Sequence, residues 1–529
     1  MKKISLIILL TGFVNFSCSD FLEEKPKDEL STESNFSEPA QAFNAVNSLY
    51  RNGAPQMFDG GVYSGTRAML GQYMSGFFDN EYKGQEPHVQ HTQQLTLNGN
   101  NISNYLGDLW DDLYVGISRA NNAIKYIPTT PGLEDAELRQ LSAEARFFRA
   151  YSYYYLVRMF GGVPVVTDPV ESVEDSLYIP RGSVKEVYTL IESDLLYAVN
   201  EGGLSERSMA DNGKRVTKGA AATLLAEVYL TMSGFPLQEN RYADAAAMAR
   251  SVIVSGTYGL EQHEMAGGNV VLENSAYNKL RKSDASAIED IFFHEYEIGI
   301  AQSGYPAYSY PLALANDVAY AITNGGYLPV PEFIWGYDAV NDLRAQNKQY
   351  FHTTLTQDGV TKTFNPAPYM WHDDQALFQT ASSGKDKAAY RYSDILLIAA
   401  EAIAQSEGIT PEAVDYLSQV RGRAYWQTDI NTIKSELLAL PPDQFVEEVW
   451  EERFRELPFE FHTWFDMVRT RKFPETSAAA NGEITFVEMV GQANHWGKTF
   501  EQKHLLFPIP EPEIQRNPEF GEQNPGYTP

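Results

Sequence analysis

The sequence predicts a mainly α-helical protein built from tetratricopeptide-like helical hairpins, with irregular loop and short-strand insertions. Three observations support this fold class. Apolar residues recur at helical spacing along several segments, alanines lie where paired helices would touch, and one long segment between them lacks helical periodicity. Hydrophobic residues make up 43% of the 529 residues, which is ample for a sizeable core.

The N-terminus reads as a signal peptide over residues 1–17, followed by a lipid attachment site. Two lysines precede an apolar run over residues 4–16, which is typical of a signal peptide. A membrane-spanning helix needs about 20 apolar residues, so this run is too short to be one. Cys18 follows directly and is the only cysteine, so it forms no intramolecular disulfide. We therefore expect acyl chains on Cys18; the alternative is a small residue near an ordinary cleavage site.

The chain is strongly acidic. Asp and Glu total 70 against 41 Lys and Arg, which gives a formal net charge of −29. A surface of this charge argues against nucleic acid or anionic lipid as a partner, and it is compatible with neutral ligands. Most of the 32 tyrosines and 28 phenylalanines are expected in the core, but tyrosine is abundant enough to supply a binding surface as well.

Helical periodicity begins after a polar tether over residues 18–39. The first hairpin pairs "LWDDLYVGISRANNAIKYI" with "LRQLSAEARFFRAYSYYYLVRMF". In the second of these segments, six residues spaced by three, four or seven positions mark one face of an amphipathic helix: Leu138, Leu141, Ala145, Phe148, Tyr155 and Met159. Gly161 and Gly162 end this helix, and Pro164 prevents it from resuming.

Two further hairpins follow the first. Residues 221–254 hold two helical patterns separated by the break "SGFP". Residues 395–424 hold another pair, in which Thr410 is a helix N-cap and Pro411 occupies the first helical position. Two short antiparallel helices in about 34 residues form the tetratricopeptide unit, and alanine at their contacts lets the helices approach closely.

The helical scaffold is thus expected over about residues 40–254 and 386–473. Two further segments differ from it in amino-acid composition. Residues 255–385 are rich in Gly, Asn, Tyr and Pro, which predicts a loop-rich insertion with short strands. Such insertions on a rigid frame are usual places for binding residues. Residues 474–529 finish in a proline-rich tail, which predicts an extended C-terminal strap without a helix.

The acidic segment "EEVWEERFRELPFEFHTWFDMVR" raises the question of a catalytic carboxylate pair. Glycoside hydrolases hold two carboxyl groups roughly 5–9.5 Å apart across a sugar-sized cleft. Here Glu451 and Arg455 stand four residues apart in the order that favours ion pairing, and Glu452 also neighbours Arg455. We therefore interpret this segment as a salt-bridged helix. Three more arginines should join such networks: Arg421, Arg423 and Arg469.

The sequence predicts no catalytic residues, no metal site and no cofactor. His88 and His91 are three residues apart, but Pro87 and the polar residues around them predict a loop. The chain has no HExxH or GxSxG motif and one cysteine only, so a zinc site is not expected. Dispersed carboxylates would escape such a search, which leaves a surface glycoside hydrolase as an alternative.

Two segments combine aromatic rings with hydrogen-bonding side chains, as sugar-binding sites do. Pyranose rings present flat CH faces that stack on aromatic rings, while their hydroxyls bond polar side chains. One segment is "FFDNEYKGQEPHVQH"; the other runs from "YPAYSYP" to "YLPVPEFIWGYD". Each candidate could instead pack against the scaffold. The candidate ligand-binding residues are Asn80, Tyr82, Tyr305, Tyr308, Tyr310, Trp335 and Tyr337.

Four stretches resemble the SusD/RagB family of outer-membrane nutrient-binding lipoproteins, and they span nearly the whole chain in the family's order. They are "CSDFLEEKP" from Cys18 onward; "EARFFRAYSYYYLVRMFGGVPVV"; "YRYSDILLIAAEAIAQ" followed by "YLSQVRGRA"; and "EERFRELPFEFHTWFDMVR", which leads to "LLFPIPEPEI" and "NPEFGEQNPGY". The sequence departs from the family at Phe461 and Thr463, where glycine and arginine are common.

The resemblance implies a single SusD-like domain over residues 40–529, anchored by lipid at Cys18 in the outer membrane of a Gram-negative bacterium and facing outward. It implies a glycan or oligosaccharide ligand, or a peptide as in some members. It also implies a partner, a TonB-dependent channel of SusC type over which the lipoprotein sits as a lid, and no catalytic activity. An adhesin or structural surface protein remains a further alternative.

Overall fold

The computed structural model describes residues 36–52, 66–171, 178–320 and 325–528. The predicted signal peptide, Cys18 and most of the predicted tether lie outside the described residues. The α-helices of the described part are α1 (Pro39–Asn47), α2 (Leu49–Asn52), α3 (Thr66–Ser75), α4 (Pro87–Gln93), α5 (Ser103–Tyr126), α6 (Asp135–Phe160), α7 (Val184–Asn200), α8 (Lys218–Ser233), α9 (Tyr242–Val254), α10 (Ala276–Lys282), α11 (Pro331–Trp335), α12 (Tyr392–Glu407), α13 (Pro411–Ala424), α14 (Ile430–Leu438), α15 (Pro442–Glu456), α16 (Thr463–Thr470) and α17 (Glu511–Arg516).

The strands are short, and within the described part of the chain they form two-stranded antiparallel sheets. They are β1 (Phe78–Asp79) with β5 (Leu328–Pro329), β2 (Met265–Ala266) with β3 (Asn269–Val270), β4 (Asp290–His294) with β8 (Lys387–Arg391), β6 (Phe351–Gln357) with β7 (Val360–Pro368), and β9 (Lys472–Glu475) with β10 (Thr485–Glu488). Most strands lie between α9 and α12, in the segment that lacks helical periodicity.

The helices form one continuous stack of hairpins. Each of α5, α6, α7 and α8 packs against the next helix along the chain, and α12 packs against α13. Helix α9 packs directly against α12, although the loop-rich segment separates them in sequence. The segment is therefore inserted between two neighbouring helices without interrupting the stack. The predicted fold class, a tetratricopeptide-like helical scaffold with irregular insertions, is confirmed.

Helix α6 is more deeply buried than its sequence pattern predicts. It begins with a reciprocal cap between Glu134 and Glu137, and it ends at Gly161, whose φ of 74° favours glycine. Every residue from 141 to 160 except Arg146 is buried. The prediction of a one-faced amphipathic helix is wrong here, because α5, α7 and α8 together cover most of its surface.

The buried charges of α6 are paired, which is why this helix tolerates them in the core. Arg149 donates to Asp194 at 2.7 Å, and Arg215 lies 2.6 Å from Glu144. Arg158 lies 3.3 Å from Glu227. A buried charge without such a partner would cost several kcal/mol, roughly 3–5.

Small side chains bring α8, α9 and α12 close together. Ala245 and Ala249 are fully buried on α9, on the helix face that the sequence predicts for close contact, and the neighbouring Ala246 is fully buried as well. Helix α12 is buried from Tyr392 to Ala404, because α8, α9, α13 and α15 surround it. Its partner α13 begins as predicted, with the Thr410 hydroxyl accepting from the Ala413 amide at 3.1 Å.

The expected loop around the histidine pair is instead the helix α4. Pro87 occupies its first turn, where proline is tolerated because that N–H has no partner within the helix. The His88 ring stacks on Tyr105, and the His91 Nδ1 lies 3.0 Å from the Thr96 hydroxyl. The prediction of a loop is therefore wrong at this point, and in α4 the two histidines contact different partners.

The C-terminal strap is largely irregular, but it is not free of helix. Helix α17 has Pro510 as its N-cap residue and Pro512 in its first turn. Both positions are compatible with proline, so the prediction of a strap without helix is wrong at this point. The strap packs back on the scaffold, since the Phe507 amide donates to the Met159 carbonyl at 2.7 Å.

The acidic segment of α15 is an ion-paired helix, as predicted. Glu451 lies 2.6 Å from Arg455. Glu452 pairs with Arg344 at 2.8 Å and Arg421 at 3.0 Å, so its neighbour Arg455 is not its main partner. Arg423 and Arg469 also join buried networks, with Glu456 and Glu401 respectively.

Phe461 occupies a backbone position that suits glycine. Its φ is 64°, in the left-handed region that bulky residues rarely adopt. The SusD/RagB family, which this chain resembles, commonly has glycine at this position. Glycine takes this conformation without steric cost. In this chain the ring packs against Tyr327 and Trp371, with centroids 5.5 Å and 6.0 Å away. Phe461 thus combines an unfavourable backbone φ with aromatic packing of its side chain.

Candidate functional site

The structure brings together the two segments that the sequence singled out. Strand β1 pairs with β5, which places the loop after Asp79 beside the segment before Leu328. The Glu81 carboxylate accepts from the Leu312 amide at 2.6 Å, and the Glu81 amide donates to the Gly325 carbonyl at 3.3 Å. The loop over residues 79–86 is therefore fixed against the insertion at several points.

Asn80 holds this loop from the inside. Its side chain is fully buried and donates to the Glu86 carboxylate at 2.7 Å, while its Oδ1 accepts from the Tyr82 amide at 2.7 Å. Burial raises the pKa of Glu86 to about 7, against the opposing effect of the bond from Asn80. Asn80 thus positions the neighbouring Tyr82, and its own side chain has no surface open to a ligand.

Tyr82 and Trp496 supply half-buried rings at the surface of the loop. The Lys83 ammonium lies 2.8 Å from the Asp79 carboxylate and 5.9 Å from the centre of the Trp496 ring. The loop over residues 79–86 and the turn over residues 494–498 therefore meet. We call the surface formed by Glu81, Tyr82, Lys83, His495 and Trp496 the candidate face.

Sequence reasoning missed Trp496. The turn that presents it depends on Asn494, whose buried side chain donates to the Gln93 carbonyl at 2.8 Å and accepts from the Trp496 amide at 3.1 Å. The signal was the string "ANHWGK", in which a tryptophan stands between an asparagine and a glycine. Asparagine and glycine are common turn residues, so this string indicates a turn, but it does not show which surface the turn joins.

A groove of about 490 Å³ opens beside the candidate face. Its volume falls within the range of small-molecule sites, which is roughly 300–1,000 Å³. Phe77, Phe473 and Pro474 contribute apolar surface, and Glu332 contributes a carboxylate that lies 2.8 Å from the His495 Nδ1. Trp335 is half-buried and lies on the same helix, α11, three residues after Glu332.

The remaining candidate aromatics lie in the core. Tyr305, Tyr308, Tyr310 and Tyr337 are at most 5% exposed, so none presents an open ring face. Tyr337 donates to the Arg455 carbonyl at 2.8 Å. The others pack among rings of the insertion, where Tyr305 lies 5.0 Å from Trp371 and Tyr310 lies 4.7 Å from His352, centre to centre. Their role in this conformation is to hold the insertion together.

One small cavity is lined by four acidic residues, Asp284, Asp290, Asp386 and Glu460, and therefore bears on the hydrolase alternative. Burial raises the pKa of Asp290 to about 7, a shift that a general acid could use. The cavity, however, measures about 60 Å³, far below the few hundred Å³ of ligand pockets. It has room for a few water molecules rather than a sugar ring.

The described residues show no metal-binding cluster of three or more His, Cys, Asp or Glu side chains. Within the described ranges, no helix is both long enough and apolar enough to cross a bilayer.

Two family models match the sequence. One, described as "Starch-binding associating with outer membrane", matches residues 20–230, and the other, described as "SusD family", matches residues 330–527. The two matched regions lie on either side of the first part of the loop-rich insertion.

Individual proteins match as well, some of them over nearly the whole chain. The SusD-like protein P2 of Formosa agariphila is 28% identical, over 99% of both chains. The starch-binding protein SusD of Bacteroides thetaiotaomicron is 32% identical, but over only 25% of this chain and 22% of its own. The crystal structure of a SusD superfamily protein from Parabacteroides distasonis superposes with a TM-score of 0.78 at 29% identity, covering 92% of this chain and 99% of the other. On the evidence of the helical stack and of these matches, the chain belongs to the SusD family.

Proposed function

We propose that this protein is a lipid-anchored receptor on the bacterial surface, which binds an extracellular oligosaccharide and delivers it to a TonB-dependent transporter of SusC type. The observation that carries the proposal is the candidate face, which holds the half-buried residues Tyr82 and Trp496 and adjoins, through His495, a groove of about 490 Å³. The family model described as starch-binding and the starch-binding relative support a glycan as the ligand.

The arrangement suits reversible capture of a sugar chain. Half-buried aromatic side chains leave part of their surface available for the CH face of a pyranose, and each such contact is weak, roughly 0.5–1.5 kcal/mol beyond the area that it buries. Carboxylates around the groove accept hydrogen bonds from sugar hydroxyls. Because the affinity arises from several weak contacts, the bound sugar can dissociate again and pass to a transporter.

The proposed anchor is the acylated Cys18. Several acyl chains hold a protein firmly at a membrane, at roughly 0.8 kcal/mol per buried CH₂. The acidic residues that follow Cys18 are consistent, in this family, with display on the outer face. The proposed role needs no cofactor, since binding and release require no chemical step.

The test is a binding panel. Isothermal titration calorimetry and affinity gels with the purified protein should detect binding to at least one neutral polysaccharide among starch, laminarin, xylan and mannan, and none to a matched panel of peptides. Reducing ends measured in the same mixtures should not increase. Growth of reducing ends would favour the hydrolase, and binding of peptides alone would favour peptide capture.

A further inference from the structure

The groove beside the candidate face is lined by more acidic than basic side chains. Glu332, Glu475 and Glu483 line it, and the only basic side chain among its lining residues is His495. The His495 ring is already engaged, because its Nδ1 lies 2.8 Å from the Glu332 carboxylate. Glu475 and Glu483 are both exposed. An incoming anionic group would therefore meet carboxylates and no uncommitted cation.

The candidate face has the same character. The Lys83 ammonium is held by both oxygens of Asp79, at 2.8 Å and 2.9 Å. The exposed Glu81 places a further carboxylate on this surface, fixed by the Leu312 amide. Lys498 is exposed at the end of the turn, but it does not line the groove. The lysine of the candidate face is thus neutralised by Asp79, and Glu81 adds a carboxylate that no lysine of the face pairs with.

We infer that this site takes glycans without carboxylate or sulfate groups and rejects polyanionic ones. The inference rests on the proposed function and specifies its ligand class. Like charges repel most strongly in a concave site, where the protein walls focus the field. Neutral sugars meet no such barrier, because their hydroxyls donate to the same carboxylates that repel an anion. The net charge of −29 on the whole chain acts in the same direction at long range.

The test compares each neutral polysaccharide with its own sulfated derivative, for example dextran with dextran sulfate and laminarin with laminarin sulfate. We expect the purified full chain to bind a neutral member and to bind its sulfated form at least about tenfold more weakly at low salt. The triple variant Glu332→Gln, Glu475→Gln and Glu483→Gln should recover most of that loss, measured as the ratio of its affinities for the neutral and the sulfated form.

A matched control separates the groove from the charge of the whole molecule. The triple variant Glu201→Gln, Glu436→Gln and Glu519→Gln removes the same number of exposed carboxylates from elements that do not line the groove. It should discriminate as the wild type does. Equal binding of neutral and sulfated forms by the wild type would overturn the inference, as would equal recovery in both triple variants. If no glycan binds at all, the proposed function is wrong, and the inference that rests on it is wrong as well.

Discussion

Glu456 shows how single residues hold this core together. Its carboxylate lies 2.8 Å from Arg423, 2.9 Å from Arg391 and 3.0 Å from Arg344, and so joins α13, α15, β8 and the turn that precedes β6. Burial alone would raise the pKa of Glu456, but the three guanidinium groups lower it to about 2. The carboxylate is therefore charged in the folded protein throughout the physiological range.

Replacing Glu456 by Gln should destabilise the protein strongly. The change removes one carboxylate partner from each of three buried arginines. We therefore expect a loss of about 3–5 kcal/mol in the free energy of unfolding at pH 7, measured by urea denaturation. Glu488→Gln is the control, because its carboxylate is 67% exposed and pairs only with Lys472; it should cost less than about 1 kcal/mol.

The pH dependence of the same pair of proteins gives a second readout. Since the pKa of Glu456 is lowered on folding, its stabilising effect is present above the unfolded value of about 4.3 and is lost as pH falls toward 2. The stability difference between wild type and Glu456→Gln should therefore shrink from pH 5 to pH 3. A constant difference over that range would contradict this account.

Residue roles at the candidate site were predictable only in part. Local composition identified Tyr82, which lies at the surface, but it could not separate Tyr82 from Tyr308, which is 1% exposed. Burial of Tyr308 depends on Trp371, a distant residue in sequence that packs against its ring. Trp496 was missed for the same reason, since its position beside Lys83 arises from the fold and not from its neighbours in sequence.

At the scale of elements, hairpins were predicted well because their signals are local. Helices α8, α9, α12 and α13 each carry an apolar or alanine-rich pattern and a clear break. The errors at α4 and α17 share one cause: both begin with proline in the first turn, and both are short. Both predictions interpret proline as a sign of loop, whereas in the first turn of a helix it is favourable.

The N-cap of α13 offers a test of this local encoding. Thr410 accepts from the Ala413 amide at 3.1 Å, so Thr410→Ala should cost about 1 kcal/mol in the free energy of unfolding, whereas Thr410→Ser should cost only a few tenths. Thr432→Ala, at an exposed position inside α14, is the control and should change stability by less than about 0.5 kcal/mol. A loss at position 410 no larger than at position 432 would show that the cap contributes little.

At the scale of the whole molecule, the stack and the insertion have different tasks. Helices α5 to α9, α12 and α13 build a continuous support, and the insertion between α9 and α12 contributes strand β5 and helix α11 beside the candidate face. Sequence periodicity identified the support. It could not identify the face, which combines the loop after β1, the insertion and the C-terminal turn around Trp496.

The proposed anchor is also a property of the whole molecule. We expect Cys18→Ala to release the protein from the membrane fraction, because the acyl chains would have no attachment site. The released protein should bind glycan as tightly as the wild type, since the candidate face lies in the folded domain. Cell fractionation followed by calorimetry measures both properties. A variant that stays in the membrane fraction would contradict the lipid anchor.

The most direct measurement of the central claim is calorimetry on the candidate face itself. We predict that the double variant Tyr82→Ala and Trp496→Ala loses at least about tenfold in affinity for whichever neutral polysaccharide the wild type binds, because each ring contributes roughly 0.5–1.5 kcal/mol beyond its buried area. Tyr178→Ala, which removes a ring that is 50% exposed elsewhere, is the control and should bind like the wild type. Unchanged affinity in the double variant, with an intact helical circular dichroism spectrum, would show that the sugar binds at another surface.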